Sequence, residues 1–455
     1  MTIRSINPHR PSDIVCEFEP ADATAVATAV DRARKAFQDW RREPASVRGQ
    51  SLAGIASTIE GRATELVGLV VREVGKPLQE AAAEVARSAA IFRYYAQMIL
   101  APDGETYPAT NPDAWLIARR YPVGVCALIT PWNFPVAIPC WKVAPALGYG
   151  NVVLLKPASA ATAIAQLLQE IAGEHLPEDV LQVIPGDGRT GEVLVEHPDV
   201  AAVSFTGSLE VGRRVAQQSA ARGARFQCEM GGQNPSIVLA DADLDRAAST
   251  IAYAAMGYAG QKCTATSRVI IERTIYDEMR SRLVAAVERL KVVDPADEAC
   301  LVGPLISDSA RASALDAIRS GGGKVITGGA PLGVEGFYLA PTLVEVDDSA
   351  SPLAQEEVFA PVTAVLKAES ADEAIRVANS VAYGLVAAVF TSDLDRALTV
   401  ANQLEAGLVR INAATSGVEF HVPFGGSKAS GIGPREQGLA AREFYTETKT
   451  ILVSP

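Results

Sequence analysis

From Gly124 onward, short apolar runs alternate with segments of helical period, and few architectures accept that order. Residues 125–129, 151–155, 180–184 and 201–205 read as buried strands, and 135–147, 160–175 and 191–197 as the helices between them. Strand, helix, strand repeated in this way implies right-handed βαβ units and a parallel sheet with helices on both faces. Such sheets take ligands at the carboxyl ends of their strands. A second α/β region begins near Asn234, with helices expected over 244–256, 275–290, 309–320 and 371–379. At 455 residues the chain exceeds a single core, and two α/β domains facing a cleft is the simplest arrangement.

Ahead of that pattern, residues 21–100 carry alanine-rich stripes at helical period, clearest over 23–40 and 63–74. Between Pro102 and Pro122 the composition turns to proline, threonine and asparagine around an alternating segment at 114–121, the mark of an exposed hairpin arm. The final stretch, 444–453, alternates threonine with other residues and reads as a terminal strand, free to pair with that arm or with a neighbouring subunit.

A formal net charge of −12 opposes nucleic-acid and anionic-membrane partners, since phosphate binding needs a basic face. Six scattered cysteines, with no CxxC pair and no histidine cluster, indicate neither a zinc site nor a disulfide framework. No metal is expected. The N-terminus lacks the apolar core of a signal peptide and no apolar run is long enough to span a bilayer, so a reducing cytoplasm is the expected location.

Four stretches carry chemistry. Cys263 lies in Tyr-Ala-Gly-Gln-Lys-Cys-Thr-Ala-Thr-Ser-Arg, entering a β-rich run, where a thiol can face a cavity as a nucleophile or pack as a small hydrophobe. Asn133, just past the strand at 125–129, can hold an oxyanion or cap the helix that follows. Glu229, beside the pair Gly231-Gly232, can be a general base of raised pKa or half of a surface ion pair. Lys156 ends a buried strand, where it meets a cofactor's ribose or phosphate or simply solvent. Gly186-Asp-Gly-Arg-Thr-Gly191 matches the dinucleotide fingerprint GxGxxG, but no acidic residue about twenty positions on ends a clear next strand, so it reads as an ordinary strand-to-helix turn.

The ordered series Pro131-Trp-Asn-Phe-Pro, Lys156-Pro, Phe205-Thr-Gly-Ser, Glu229-Met-Gly-Gly, Gly260-Gln-Lys-Cys263, Glu357-Val-Phe359 and Pro423-Phe-Gly-Gly-Ser-Lys resembles the aldehyde dehydrogenase superfamily over nearly the whole chain. The resemblance implies an α/β fold with a Rossmann-like cofactor domain (1–106 and 121–230), an α/β catalytic domain (231–434) and a β oligomerisation arm (107–120 and 435–455). It also implies a homodimer or homotetramer. Cys263 would be the nucleophile, Asn133 the oxyanion donor together with the Cys263 N–H, and Glu229 the base that activates water for hydrolysis of the thioester. Thr130, Trp132, Lys156, Ser159, Gly207, Ser208, Glu357 and Phe359 would line the cofactor site, and Trp141, Lys262, Thr264, Val418 and Phe424 the substrate site.

Members that prefer NAD commonly carry a glutamate where this chain has Ser159, which implies NADP here with NAD still possible. Succinic semialdehyde dehydrogenases usually place an arginine and a serine where this chain has Gly257 and Val418. The segments 261–268, 421–426 and 433–438 instead look like the group acting on α-ketoglutaric semialdehyde and glyceraldehyde-type substrates. Succinic semialdehyde and aromatic aldehydes are the alternatives. Lys262 is expected either to bind an acidic substrate tail or to face solvent. Ala360, where the family usually has glycine, is expected to crowd the nicotinamide slightly. The rival of another class is a thiol esterase that uses Cys263 and Glu229 without a cofactor.

Overall fold

The computed structural model describes residues 2–455. An antiparallel hairpin, β1 (Ile3–Ile6) and β2 (Ile14–Phe18), precedes four helices, α1 (Ala23–Trp40), α2 (Ala45–Gly61), α3 (Ala63–Val74) and α4 (Leu78–Met98). Both α1 and α3 fall where the alanine stripes put them. The hairpin has no such local signal. It is fixed by a tertiary contact, in which the buried Ser5 hydroxyl donates to Glu73 Oε1 at 2.7 Å. The next two strands, β3 (Gly104–Tyr107) and β4 (Trp115–Pro122), pair antiparallel as the exposed arm.

The first sheet then assembles in the expected alternation: β5 (Val125–Thr130), α5 (Ala137–Gly148), β6 (Val152–Pro157), α6 (Thr162–Gly173), β7 (Leu181–Val183), α7 (Gly188–Glu196), β8 (Ala202–Thr206), α8 (Leu209–Ala221) and β9 (Arg225–Glu229). Its parallel strands lie in the order β7-β6-β5-β8-β9. Every residue of β6 and β8 is buried, as strands covered on both faces require. From β5 the chain steps to β6 on one side and later to β8 on the other, so the topological switch point lies between β5 and β8. Those strands end in Thr130 and Thr206.

The second region contains β10 (Asn234–Val238), α9 (Leu244–Met256), β11 (Thr266–Glu272), α10 (Tyr276–Glu288), α11 (Asp308–Ser320), β12 (Lys324–Thr327), β13 (Thr342–Glu345), α12 (Pro352–Gln355), β14 (Val362–Ala368), α13 (Ala371–Asn379), β15 (Tyr383–Gly384), β16 (Val386–Phe390), α14 (Leu394–Gln403) and β17 (Leu408–Ile411). Its seven-stranded sheet runs β12-β13-β14-β11-β10-β16-β17, with β12 alone antiparallel to its neighbour. Two separate apolar cores form, one around each sheet.

The tail ties the layers together. A short pair joins β15 to β18 (Ser427–Lys428), and β19 (Gly431–Ile432) returns to the first sheet, antiparallel to β9, with Gly431 opposite Glu229. β19 therefore belongs to the first sheet, although it lies within the 231–434 span. The expected terminal strand begins later than 444, because α15 (Ala440–Tyr445) takes Phe444 and Tyr445 into the first core. β20 (Thr446–Val453) then pairs with β4 from Thr446 opposite Pro122 to Val453 opposite Trp115, making a three-stranded arm, β20-β4-β3. Among the described residues no helix is long and apolar enough to cross a membrane, and no cluster of three or more His, Cys, Asp or Glu is placed to hold a metal ion.

Candidate active site

Cys263 sits on the wall of a cavity of about 210 Å³ between the two layers. The loop that delivers it is strained, with Tyr258, Ala259 and Gly260 holding φ of 53°, 54° and 66° in succession. For the first two residues that conformation costs on the order of 1–3 kcal/mol each. The loop is held by polar wiring. Gln261 Oε1 accepts from Ile306 N–H at 2.8 Å, and Asn234 Nδ2 donates to the carbonyls of Cys263 at 2.7 Å and Ala265 at 2.8 Å. Asn234 had no signal in the sequence beyond its place after a glycine pair.

Asn133 bridges the first layer to this loop, donating from Nδ2 to the Gln261 carbonyl at 2.9 Å. The second Nδ2 hydrogen has no acceptor in that bond and is available to an oxyanion. Asn133 does not cap α5. That role falls to Glu84 of α4, whose Oε1 accepts from Val136 and Ala137 N–H at 2.9 Å each, while its other oxygen pairs with the fully buried ammonium of Lys76. Lys76 in turn lies 3.8 Å from the centroid of Phe134.

The thiol is held neutral. Burial, followed by the charges of Glu357 and Glu229, pushes Cys263 up to about 12, against the N–H groups of Cys263 and Thr264 that point at sulfur. Glu229 is raised well above the usual carboxylate range by burial and by Glu436, partly offset by Gly426 N–H, which donates to Oε2 at 3.0 Å. The carboxyl thus lies against the Gly425–Gly426 backbone rather than on the cavity wall. Behind it, Glu436 pairs with the buried ammonium of Lys142 and accepts from Trp141 Nε1 at 2.7 Å. Sequence reading passed over Glu436 and Lys142, because nothing local distinguishes them from surface charges.

At the switch point, the hydroxyls of Thr130 and Thr206 are both buried without a hydrogen-bond partner. Such orphans at strand ends are what a bound group would satisfy. Alongside them, Ser208 opens α8 without a side-chain cap, leaving its first N–H groups free. Gly207 packs against the Phe205 ring, where a Cβ would clash. Lys156, buried at the end of β6 and lowered to about 8 by burial, has no ion-pair partner among the described residues. The Ser159 hydroxyl donates to the Gly186 carbonyl at 3.1 Å. On the far side, Trp132 meets Phe359 edge-on at 5.8 Å, and Phe359 is itself at φ 54°. Glu357, raised to about 7 by burial, accepts from Gly232 N–H at 3.1 Å. Any Cβ on Gly231 would run into this carboxyl, so the glycine pair makes room for Glu357. The donor set fits a dinucleotide.

The 186–191 match is explained by its position. It follows β7, the edge strand, and the Asp187 carboxylate already caps α7 through Arg189 and Thr190 N–H at 2.9 and 3.3 Å, occupying the place a phosphate would need. Ala360 is buried in the second core, its carbonyl packed against Gly260.

Trp141, Lys262, Thr264, Val418 and Phe424 all line the cavity. Lys262, however, neither faces solvent nor stands free. It is buried, with Nζ 2.7 Å from Glu80 Oε1 and 5.1 Å from the Tyr253 centroid. A Cβ on Gly257 would lie 3.1 Å from both Glu80 Oε1 and Lys262 Nζ, so a side chain at 257 would press on this ion pair. The wall contributed by α4, with Glu80, Glu84 and Arg87, was not expected.

The aldehyde dehydrogenase family model matches residues 1–451. Alpha-ketoglutaric semialdehyde dehydrogenase of Bacillus subtilis (strain 168) is 42% identical over 458 residues, covering 99% of this chain and 94% of the relative. Alpha-ketoglutarate semialdehyde dehydrogenase of Haloferax volcanii is 40% identical over 460 residues, covering 99% and 95%. The crystal structure of an NAD-dependent aldehyde dehydrogenase from Sinorhizobium meliloti superposes with a TM-score of 0.96 at 35% identity, covering 100% of this chain and 91% of that one. With a family model matching residues 1–451, relatives at 40–42% identity over nearly the whole chain and a TM-score of 0.96, the chain belongs to the aldehyde dehydrogenase family.

Proposed function

We propose that the protein oxidises a semialdehyde, with α-ketoglutaric semialdehyde as the leading candidate, to the carboxylate with NADP, and with NAD as the second cofactor. The observation that carries the reading is Cys263, facing the cavity with two buried carboxyls acting on its sulfur. Its thiol attacks the aldehyde carbon and passes its proton to solvent as the C–S bond forms and the carbonyl π pair moves to oxygen, because the resting environment opposes a thiolate. The free Nδ2 hydrogen of Asn133 and the Cys263 N–H receive the oxyanion. A nicotinamide held beside Glu357 and Phe359 would accept the hydride that leaves the adduct carbon, so that the Cys263 adduct becomes a thioester. Glu229 then swings from the Gly426 N–H to take a proton from water, which releases the acid from the Cys263 thioester.

NADP preference is supported by Ser159, which brings no carboxylate to repel a 2′-phosphate, and by the unpaired ammonium of Lys156 beside it. The Sinorhizobium neighbour is named NAD-dependent, and it supports the second cofactor. We assign 1–106 and 121–230 to cofactor binding, 231–434 to catalysis, and the arm strands to a homodimer or homotetramer in a reducing cytoplasm. The Bacillus and Haloferax relatives carry the α-ketoglutaric assignment, and the ion pair on which a side chain at 257 would press weighs against the succinic type.

The test follows nicotinamide reduction with α-ketoglutaric semialdehyde, NADP and NAD run in parallel. Turnover that is lost by about 10³-fold or more in Cys263→Ser is expected. Ester hydrolysis without cofactor and without aldehyde oxidation would replace the reading with a thiol esterase. Equal efficiency with the two cofactors, unaltered in Ser159→Glu, would remove the NADP preference.

A further inference from the structure

The cavity wall built by α4 carries Glu80, Glu84 and Arg87 at spacings of four and three, which puts all three on one helical face. The two carboxylates are neutralised from behind. Glu80 pairs with Lys262 at 2.7 Å, and Glu84 pairs with Lys76 while capping α5. Arg87 is different. Among the described residues it has no ion pair, hydrogen bond or ring partner, although it is partly shielded and lines the cavity. Charge by charge, the wall sums to one uncompensated guanidinium. The other stretch of the lining at Ser416, Gly417 and Val418 brings no carboxylate.

We propose that Arg87 is a specificity-determining residue that anchors the carboxylate of an acidic aldehyde while Cys263 engages the other end. The inference rests on the reading that this cavity takes the aldehyde, and it moves the acid-binding role from Lys262, whose charge Glu80 already meets, to Arg87. A planar guanidinium offers a carboxylate two parallel N–H donors, a fit that a neutral chain end cannot use. Selectivity then arises from a charge-assisted bond made by the acid and absent with its neutral analogue.

Two measurements on the full-length enzyme test this. The first compares kcat/KM for α-ketoglutaric semialdehyde with kcat/KM for pentanal, in wild type, Arg87→Met and Arg87→Lys. Loss of one charged hydrogen-bonding partner predicts that the acid-to-neutral ratio falls by about 10- to 100-fold in Arg87→Met, mainly through KM, with partial recovery in Arg87→Lys. An equal fall for both substrates would make Arg87 structural and overturn the proposal, as would an unaltered ratio. The second needs no turnover and follows alkylation of Cys263 by iodoacetamide in the presence of glutarate. Glutarate is expected to slow alkylation in wild type and to lose that effect in Arg87→Met. If glutarate protects both proteins equally, or neither, the carboxylate anchor is wrong. If protection depends on Arg87 but no aldehyde is oxidised, the anchor stands and the proposed reaction falls.

Discussion

At the scale of single residues, the site is a set of acids whose burial favours their neutral forms. Cys263, Glu229 and Glu357 are all displaced upward, and burial is the first cause in each case. If Glu229 must be ionised to draw a proton from water, activity falls on the acid side and rises as pH approaches its elevated pKa. The second cause at Glu229 is the like charge of Glu436. Replacing that carboxylate in Glu436→Gln removes repulsion and leaves the Lys142 ammonium nearby without its partner, and both effects favour an ionised Glu229. The acidic limb of the kcat profile is therefore expected to move down by about one pH unit or more. A profile that stays in place in folded Glu436→Gln enzyme, as judged by circular dichroism, would mean that Glu436 does not govern this proton.

At the scale of elements, α4 illustrates what the sequence conceals. It lies within the helical stretch expected over 21–100, but the function of its buried face was hidden, since Glu84 is a carboxylate where a helix normally turns apolar residues inward. It compensates two orphaned N–H groups at the start of α5 and the charge of Lys76. Glu84→Ala strands all three. Breaking a buried ion pair alone costs about 3–5 kcal/mol, so urea denaturation is expected to show a loss of at least that order. A loss below about 1 kcal/mol would show the ammonium to be solvated after all. The same contrast separates what was legible from what was not. The βαβ run, Cys263, Asn133 and Glu357 were readable because each sits at a strand end or in an ordered motif. Glu80, Asn234 and Glu436 were not, because their partners lie more than 25 residues away in the chain, and Arg87 was not, because only the fold brings its helix to the cavity.

At the scale of the whole molecule, β20 closes the chain on an arm rather than on either core. All eight of its residues pair with β4 on one edge, and in the order β20-β4-β3 the other edge meets no strand among the described residues. A long unpaired edge is a template for another chain unless it is blunted. The arm does not blunt it, since Trp115 is 71% exposed and Leu452 63% exposed at its tip. A neighbouring subunit of the proposed dimer or tetramer would cover both the free edge and the apolar tip. Charging the tip in a Trp115→Glu, Leu452→Glu double variant tests this without touching either core. Light scattering is expected to find wild type as a dimer or tetramer and the variant shifted toward monomer, with its circular dichroism spectrum retained. A wild type that is monomeric at micromolar concentration would leave the arm without a partner, and an unshifted variant would place the subunit contact elsewhere on the surface.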